Sequence, residues 1–178
     1  MITSQQELLL KQYQERSFVL SILAEESCNY YHLIKNIVNI PLIICNSIMV
    51  CINSIIIDPD LLKILNIILN TSTGLILSLI SSFKIYEHIT TFNQLRIKYT
   101  KLTHLLDTKL TNEIDKIDND FIQTIINDYD AITEANDFQY PLHIRAKVKK
   151  QYENKLSMPA SLAVEIVECE SQCRCVKV

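Results

Sequence analysis

Between Asn36 and Phe83 the chain runs for 48 residues with Asp58, Asp60 and Lys63 as its only formal charges, all inside one six-residue window. No other feature restricts the fold as much. Residues 37–57 make one run of 21 mostly apolar positions and residues 64–83 a second of 20. As a helix at about 1.5 Å per residue, each is about 30 Å long, the thickness of a bilayer's hydrocarbon core. Asp58-Pro59-Asp60 between them breaks a helix and keeps the connection short and polar. The expectation is an all-α protein: a two-transmembrane helical hairpin with amphipathic helices extending into a cytoplasmic helical bundle. The alternative is a buried hairpin in a soluble bundle, because asparagine, serine and threonine interrupt both runs. Core helices are usually shorter, however, and flanked by amphipathic neighbours that carry charge on one face, whereas these two runs show none. The first run also starts too far along, without a small-residue cleavage pattern, to read as a removed signal peptide.

Lysine and arginine set the expected orientation. Lys35, Lys84, Arg96, Lys98 and Lys101 lie on the outer flanks, and the connecting turn has only Lys63. Both termini are therefore expected on the cytoplasmic side. Tyr30, Tyr31 and Tyr86 stand where an amphipathic ring rests at the headgroup level.

Polar residues recur inside the runs. Asn39, Asn46 and Asn53 are spaced by seven, and Asn66, Asn70, Gly74 and Ser78 by four, so each set lines one helical face. Two readings stay open. Side-chain hydrogen bonds worth ~0.6–2 kcal/mol each hold helix to helix or subunit to subunit, with Gly74 allowing close approach. Alternatively, stripes from several copies surround a narrow polar path, which makes an oligomeric pore. Asn70-Thr71-Ser72 matches a glycosylation acceptor, but it falls inside the second run and is discounted.

Outside the runs, residues 4–35 read as a helix with Ser4 as N-cap and Glu7 completing a capping box. Ile85, Ile89, Phe92, Leu95 or Arg96, Tyr99, Leu102, Leu106 and Leu110 step by three and four, the mark of an amphipathic helix. The spacing resumes from Ile114 to Ile132, giving a long helix over about 84–136 with its bend at Thr111-Asn112-Glu113. Residues 1–156 form one two-pass membrane helical domain in this reading, and residues 157–178 a flexible tail bearing Cys169, Cys173 and Cys175.

Asp118-Asn119-Asp120 has the look of a calcium loop but lacks its glycine and downstream glutamate, so the acidic stretch Asp115–Asp130 reads as a solvated face. Arg145, Lys147, Lys149 and Lys150, with Lys35 and Lys84 near the runs, are candidates for lipid-headgroup contact at ~1 kcal/mol per charge. The basic segment has a second reading, pairing with the acidic stretch.

No catalyst is legible. The single glycine (Gly74) rules out glycine-rich phosphate loops. The four histidines (His32, His88, His104, His143) fall in no metal motif, and no serine or cysteine has a recognisable catalytic partner. The terminal cysteines lack a fourth ligand. No enzyme, cofactor, metal or nucleic acid is expected. The expected partners are the lipid bilayer, further copies of the chain and a protein on the cytoplasmic bundle.

Leu79, Ser82, Phe83 and Lys84, then Glu87-His88, then Tyr99, Leu102 and Leu106 resemble the end of the second span and the long helix after it in the SLATT family. That family comprises two-transmembrane effector domains of bacterial conflict systems. Tyr140-Pro141-Leu142-His143-Ile144 is similar to the family's later proline-bearing segment, so the likeness runs from Asn29 to about Lys150. The resemblance implies a membrane effector that oligomerises and forms or perturbs a membrane pore. The cysteine tail departs from the family pattern, and no nucleotide-sensing segment accompanies the spans. The 28 isoleucines and 13 asparagines, typical of AT-rich coding sequence, also suit a structural membrane anchor or scaffold, for example of the internal membrane of a large DNA virus.

Overall fold

A computed structural model describes residues 3–53, 59–112, 117–136, 138–153, 155–159 and 162. Asp58, the acidic-stretch residue Asp115 and the tail cysteines Cys169, Cys173 and Cys175 lie outside them, as does the side chain of Asn53. The described residues form five helices and no strand: α1 (Ser4–Asn53), α2 (Pro59–Ser82), α3 (Ile85–Asn112), α4 (Asn119–Glu134) and α5 (Leu142–Tyr152). The chain divides into two compact units, residues 28–90 and the remainder.

α1 starts one residue earlier than its sequence suggests. Thr3 Oγ1 accepts from the Gln6 amide at 3.3 Å, and the Thr3 amide donates to Gln6 Oε1 at 2.9 Å. This is a capping box on Thr3 and Gln6, with Ser4 already inside the helix. Glutamine closes such a box as well as glutamate, so the earlier pair wins and Glu7 instead receives Lys11 at 2.7 Å.

In the larger unit, the apolar stripe of α3 is the buried face it was expected to be: Phe92, Leu95, Tyr99, Leu102 and Leu106 are all within 4 % of complete burial. Leu102 and Leu106 pack with Leu10 of α1 and with Ile117, Ile122 and Ile125 in and before α4. Fully burying each such side chain contributes about 1.5–3 kcal/mol. Rings fill the space beside them. Tyr13 meets Tyr129 edge-on at 5.1 Å, and Tyr99 donates to or accepts from Thr133 Oγ1 at 3.2 Å.

α3 is described to Asn112 and α4 begins at Asn119; Glu113 of the expected bend lies outside the described residues. Asp118 explains its own motif: its carboxylate accepts from the Phe121 amide at 2.8 Å as the α4 N-cap. The segment placed by sequence in a flexible tail begins packed. Ser157 donates its amide to Glu15 and accepts from Arg16 Nε, while Pro159 and Leu162 are buried.

The smaller unit holds the later part of α1, all of α2 and the start of α3. α1 continues through Pro41, whose ring gives no N–H to the Ile37 carbonyl, the place where long helices bend. α2 and α3 are separate helices where the sequence reads one continuous path. Lys84 takes a positive φ of 51° and donates its amide to Ser81 at 3.1 Å. A lysine in this left-handed conformation gives no signal in sequence, because glycine and asparagine are the residues that advertise it.

Candidate functional site

α1 and α2 each contain a window long and apolar enough to cross a membrane, and only 6 % of either window is buried. Ile43, Val50, Ile67 and Leu75 are each more than half exposed. A soluble protein rarely leaves so large a contiguous apolar surface uncovered. These faces, with the polar residues set into them, are the candidate site.

The polar stripe of α2 faces outward. Asn70, Gly74 and Ser78 are exposed and Asn66 is half-buried. A methyl group added at Gly74 meets nothing within 4 Å, so the close approach that glycine permits is not made within the chain. At 100° per residue, the stripe lies across the helix from Ile76, Leu79 and Ile80, which line a cleft against Ile34, Val38 and Pro41 of α1. The asparagines of α1 divide differently. Asn39 is half-buried and donates to the Tyr86 hydroxyl at 3.4 Å, and Asn46 is exposed.

Lys35, Tyr86, Tyr31 and His88 make two ring contacts. Lys35 Nζ sits 5.4 Å from the centre of the Tyr86 ring, a cation over a π face. Tyr31 stacks on His88 at 4.5 Å with the ring planes 8° apart. Burial lowers the His88 pKa, with Lys84 adding to that effect and Glu87 opposing it. Burial, then the neighbouring Tyr30, raises that of Tyr31. Lys84 pairs with Glu87 at 3.2 Å, both well exposed, so the pair adds little stability.

The basic residues further along are spread over α5. Lys147 meets Glu26 of α1 at 2.8 Å, Lys149 meets Glu153, the residue that caps the helix end, at 3.6 Å, and Arg145 donates to the Tyr140 carbonyl at 3.0 Å. Lys150 is exposed. These contacts involve glutamates and a carbonyl; Asp115 of the acidic stretch lies outside the described residues. Among the described residues no group of three histidine, cysteine, aspartate or glutamate side chains is placed to hold a metal ion.

Sequence reasoning passed over Pro41, although a proline within an apolar run signals both a bend and an unmatched carbonyl. It also passed over Lys84 as a break, for which no signal existed. Compared with family models, curated proteins and solved structures, the chain matches none.

Proposed function

We propose that this chain is a two-pass membrane protein, with both termini on the cytoplasmic side, that self-associates through the polar face of α2 and so forms or perturbs a path across the bilayer. The resemblance to the SLATT effectors points the same way. The observation that carries the reading is the outward face of Asn70, Gly74 and Ser78, exposed on an otherwise apolar helix. In hydrocarbon an asparagine amide without partners costs several kcal/mol, and a second copy presenting the same face supplies them. Gly74, open on that side, lets two backbones approach closely.

Purified protein reconstituted into dye-loaded liposomes is expected to release dye, and the Asn70→Leu and Ser78→Leu variants to release much less at equal incorporation. Absence of leak from the unaltered protein sinks the pore reading.

An anchor or scaffold is the second reading. It is favoured by an open groove of 310 Å³ between α3 and α4, where Leu102, Leu105 and Ile132 are bordered by Lys98, Lys101 and Asp128. A helix with an apolar stripe and mixed charges fits such a groove. A partner recovered at fixed stoichiometry, lost on Leu105→Glu and accompanied by no leak, favours this reading over the pore.

A further inference from the structure

The cleft between α1 and α2 has a volume of 460 Å³, within the usual range for small-molecule sites. Every side chain lining it is apolar. Ile34, Val38 and Pro41 form one wall, and Ile76, Leu79 and Ile80 the other. A sugar, nucleotide or peptide backbone finds no hydrogen-bonding side chain there, whereas a hydrocarbon chain needs none.

One end of the cleft is basic. Ile34 is followed by Lys35, and Lys84 stands between the lining residues Phe83 and Ile85. The positive φ of Lys84 interrupts the helical path at this point, and strained non-glycine backbone of this kind gathers at functional sites. Lys84 pairs with Glu87 at 3.2 Å and Lys35 lies over the Tyr86 ring, so the two ammonium groups outnumber this one carboxylate and leave a net positive charge. Tyr86, whose hydroxyl takes a hydrogen bond from Asn39, is at the same level.

We propose that this cleft binds one anionic phospholipid, with an acyl chain between α1 and α2 and the phosphate against Lys35 and Lys84. The assignment rests on the membrane reading above. A second copy is not the occupant, because the self-associating stripe of α2 lies on the opposite side of that helix and leaves the cleft free. The excess of ammonium over carboxylate selects an anionic lipid over a zwitterionic one.

The test uses full-length protein purified in a mild detergent and examined by native mass spectrometry with equal amounts of phosphatidylglycerol and phosphatidylcholine. One phosphatidylglycerol per chain is expected to be retained in preference to phosphatidylcholine. The double variant Lys35→Gln and Lys84→Gln is expected to lower retention of phosphatidylglycerol about tenfold or more and erase the preference. Val38→Phe, which fills the cleft, is expected to reduce retention of both lipids, with helix content checked by circular dichroism. Leu79→Phe provides the same obstruction from the facing helix should Val38→Phe fail to fold. Lys63→Gln, far along α2, is expected to change nothing. Equal retention of the two lipids, or undiminished retention with the cleft filled, overturns the proposal. Competition by glycerophosphoglycerol as strong as by the intact lipid also overturns it, since that headgroup has no chain to insert. Protein that dissolves without detergent fails the membrane reading itself, whereas an integral protein without lipid preference fails only this site.

Discussion

Lys84 holds a backbone conformation that costs a non-glycine residue about 1–2 kcal/mol. Glycine there removes that cost but adds about 0.5–1 kcal/mol of chain entropy to lose on folding. Lys84→Gly is therefore expected to be neutral to about 1 kcal/mol stabilising, and Lys84→Val to be destabilising, in thermal unfolding of detergent-solubilised protein. A second residue-scale expectation concerns the tyrosines of the larger unit. Burial, then the neighbouring Tyr99, pushes Tyr129 up to about 12, and burial raises Tyr140 and Tyr99 as well. A phenol whose folded pKa is raised binds its proton more tightly folded than unfolded. Its contribution to stability is full below the ordinary value near 10 and is lost as the pH climbs through about 12. Stability measured across that alkaline window should fall, with tyrosinate absorbance rising as the fold is lost, and Tyr129→Phe should flatten the fall. The Tyr140 hydroxyl is buried without a hydrogen-bond partner among the described residues, so Tyr140→Phe should leave stability unchanged or higher.

At the scale of an element, α2 carries two opposed faces: an apolar one toward the cleft and a polar one toward the outside. Because nothing lies within 4 Å of a side chain begun at Gly74, Gly74→Leu meets no obstruction inside the chain. It also replaces the poorest helix former but proline by a good one, worth about 0.8–1 kcal/mol to the helix. The fold should therefore hold or gain slightly, while chemical cross-linking in membranes should show the oligomer weakened or gone. Oligomers that persist unchanged in this variant would place the self-association elsewhere. α1 presents a different balance, since Asn39 is already engaged with Tyr86 and only Asn46 is shown exposed. Asn53, the third residue of that spacing, has its side chain outside the described residues.

For the whole molecule, the expected topology follows from the largest energies. In the proposed two-pass arrangement each run would bury about 20 mostly apolar residues in the bilayer, while a lysine, arginine or aspartate at its centre would cost about 2.5–3.5 kcal/mol, and none is present. The basic flanks resist translocation, so Asp60 is expected outside and the termini inside. A membrane-impermeant thiol reagent applied to intact cells should label Asp60→Cys and spare Cys173. Labelling of Cys173 alone inverts the topology.

What the sequence determined by itself was the helical class and the places of its long apolar runs, because uncharged stretches of this length and a three-and-four stripe such as Phe92, Leu95, Tyr99, Leu102 and Leu106 are local patterns with one physical outcome. The stripe is buried in the structure. Tertiary structure decided what depends on neighbours. Lys147 goes to Glu26 of α1, because folding brings that carboxylate within 2.8 Å. Pro159 and Leu162 are buried by surroundings that composition does not reveal. Which face of α2 is covered also had to come from the fold: a spacing of four names a stripe but does not say what stands opposite it, and Gly74 proved to have nothing there.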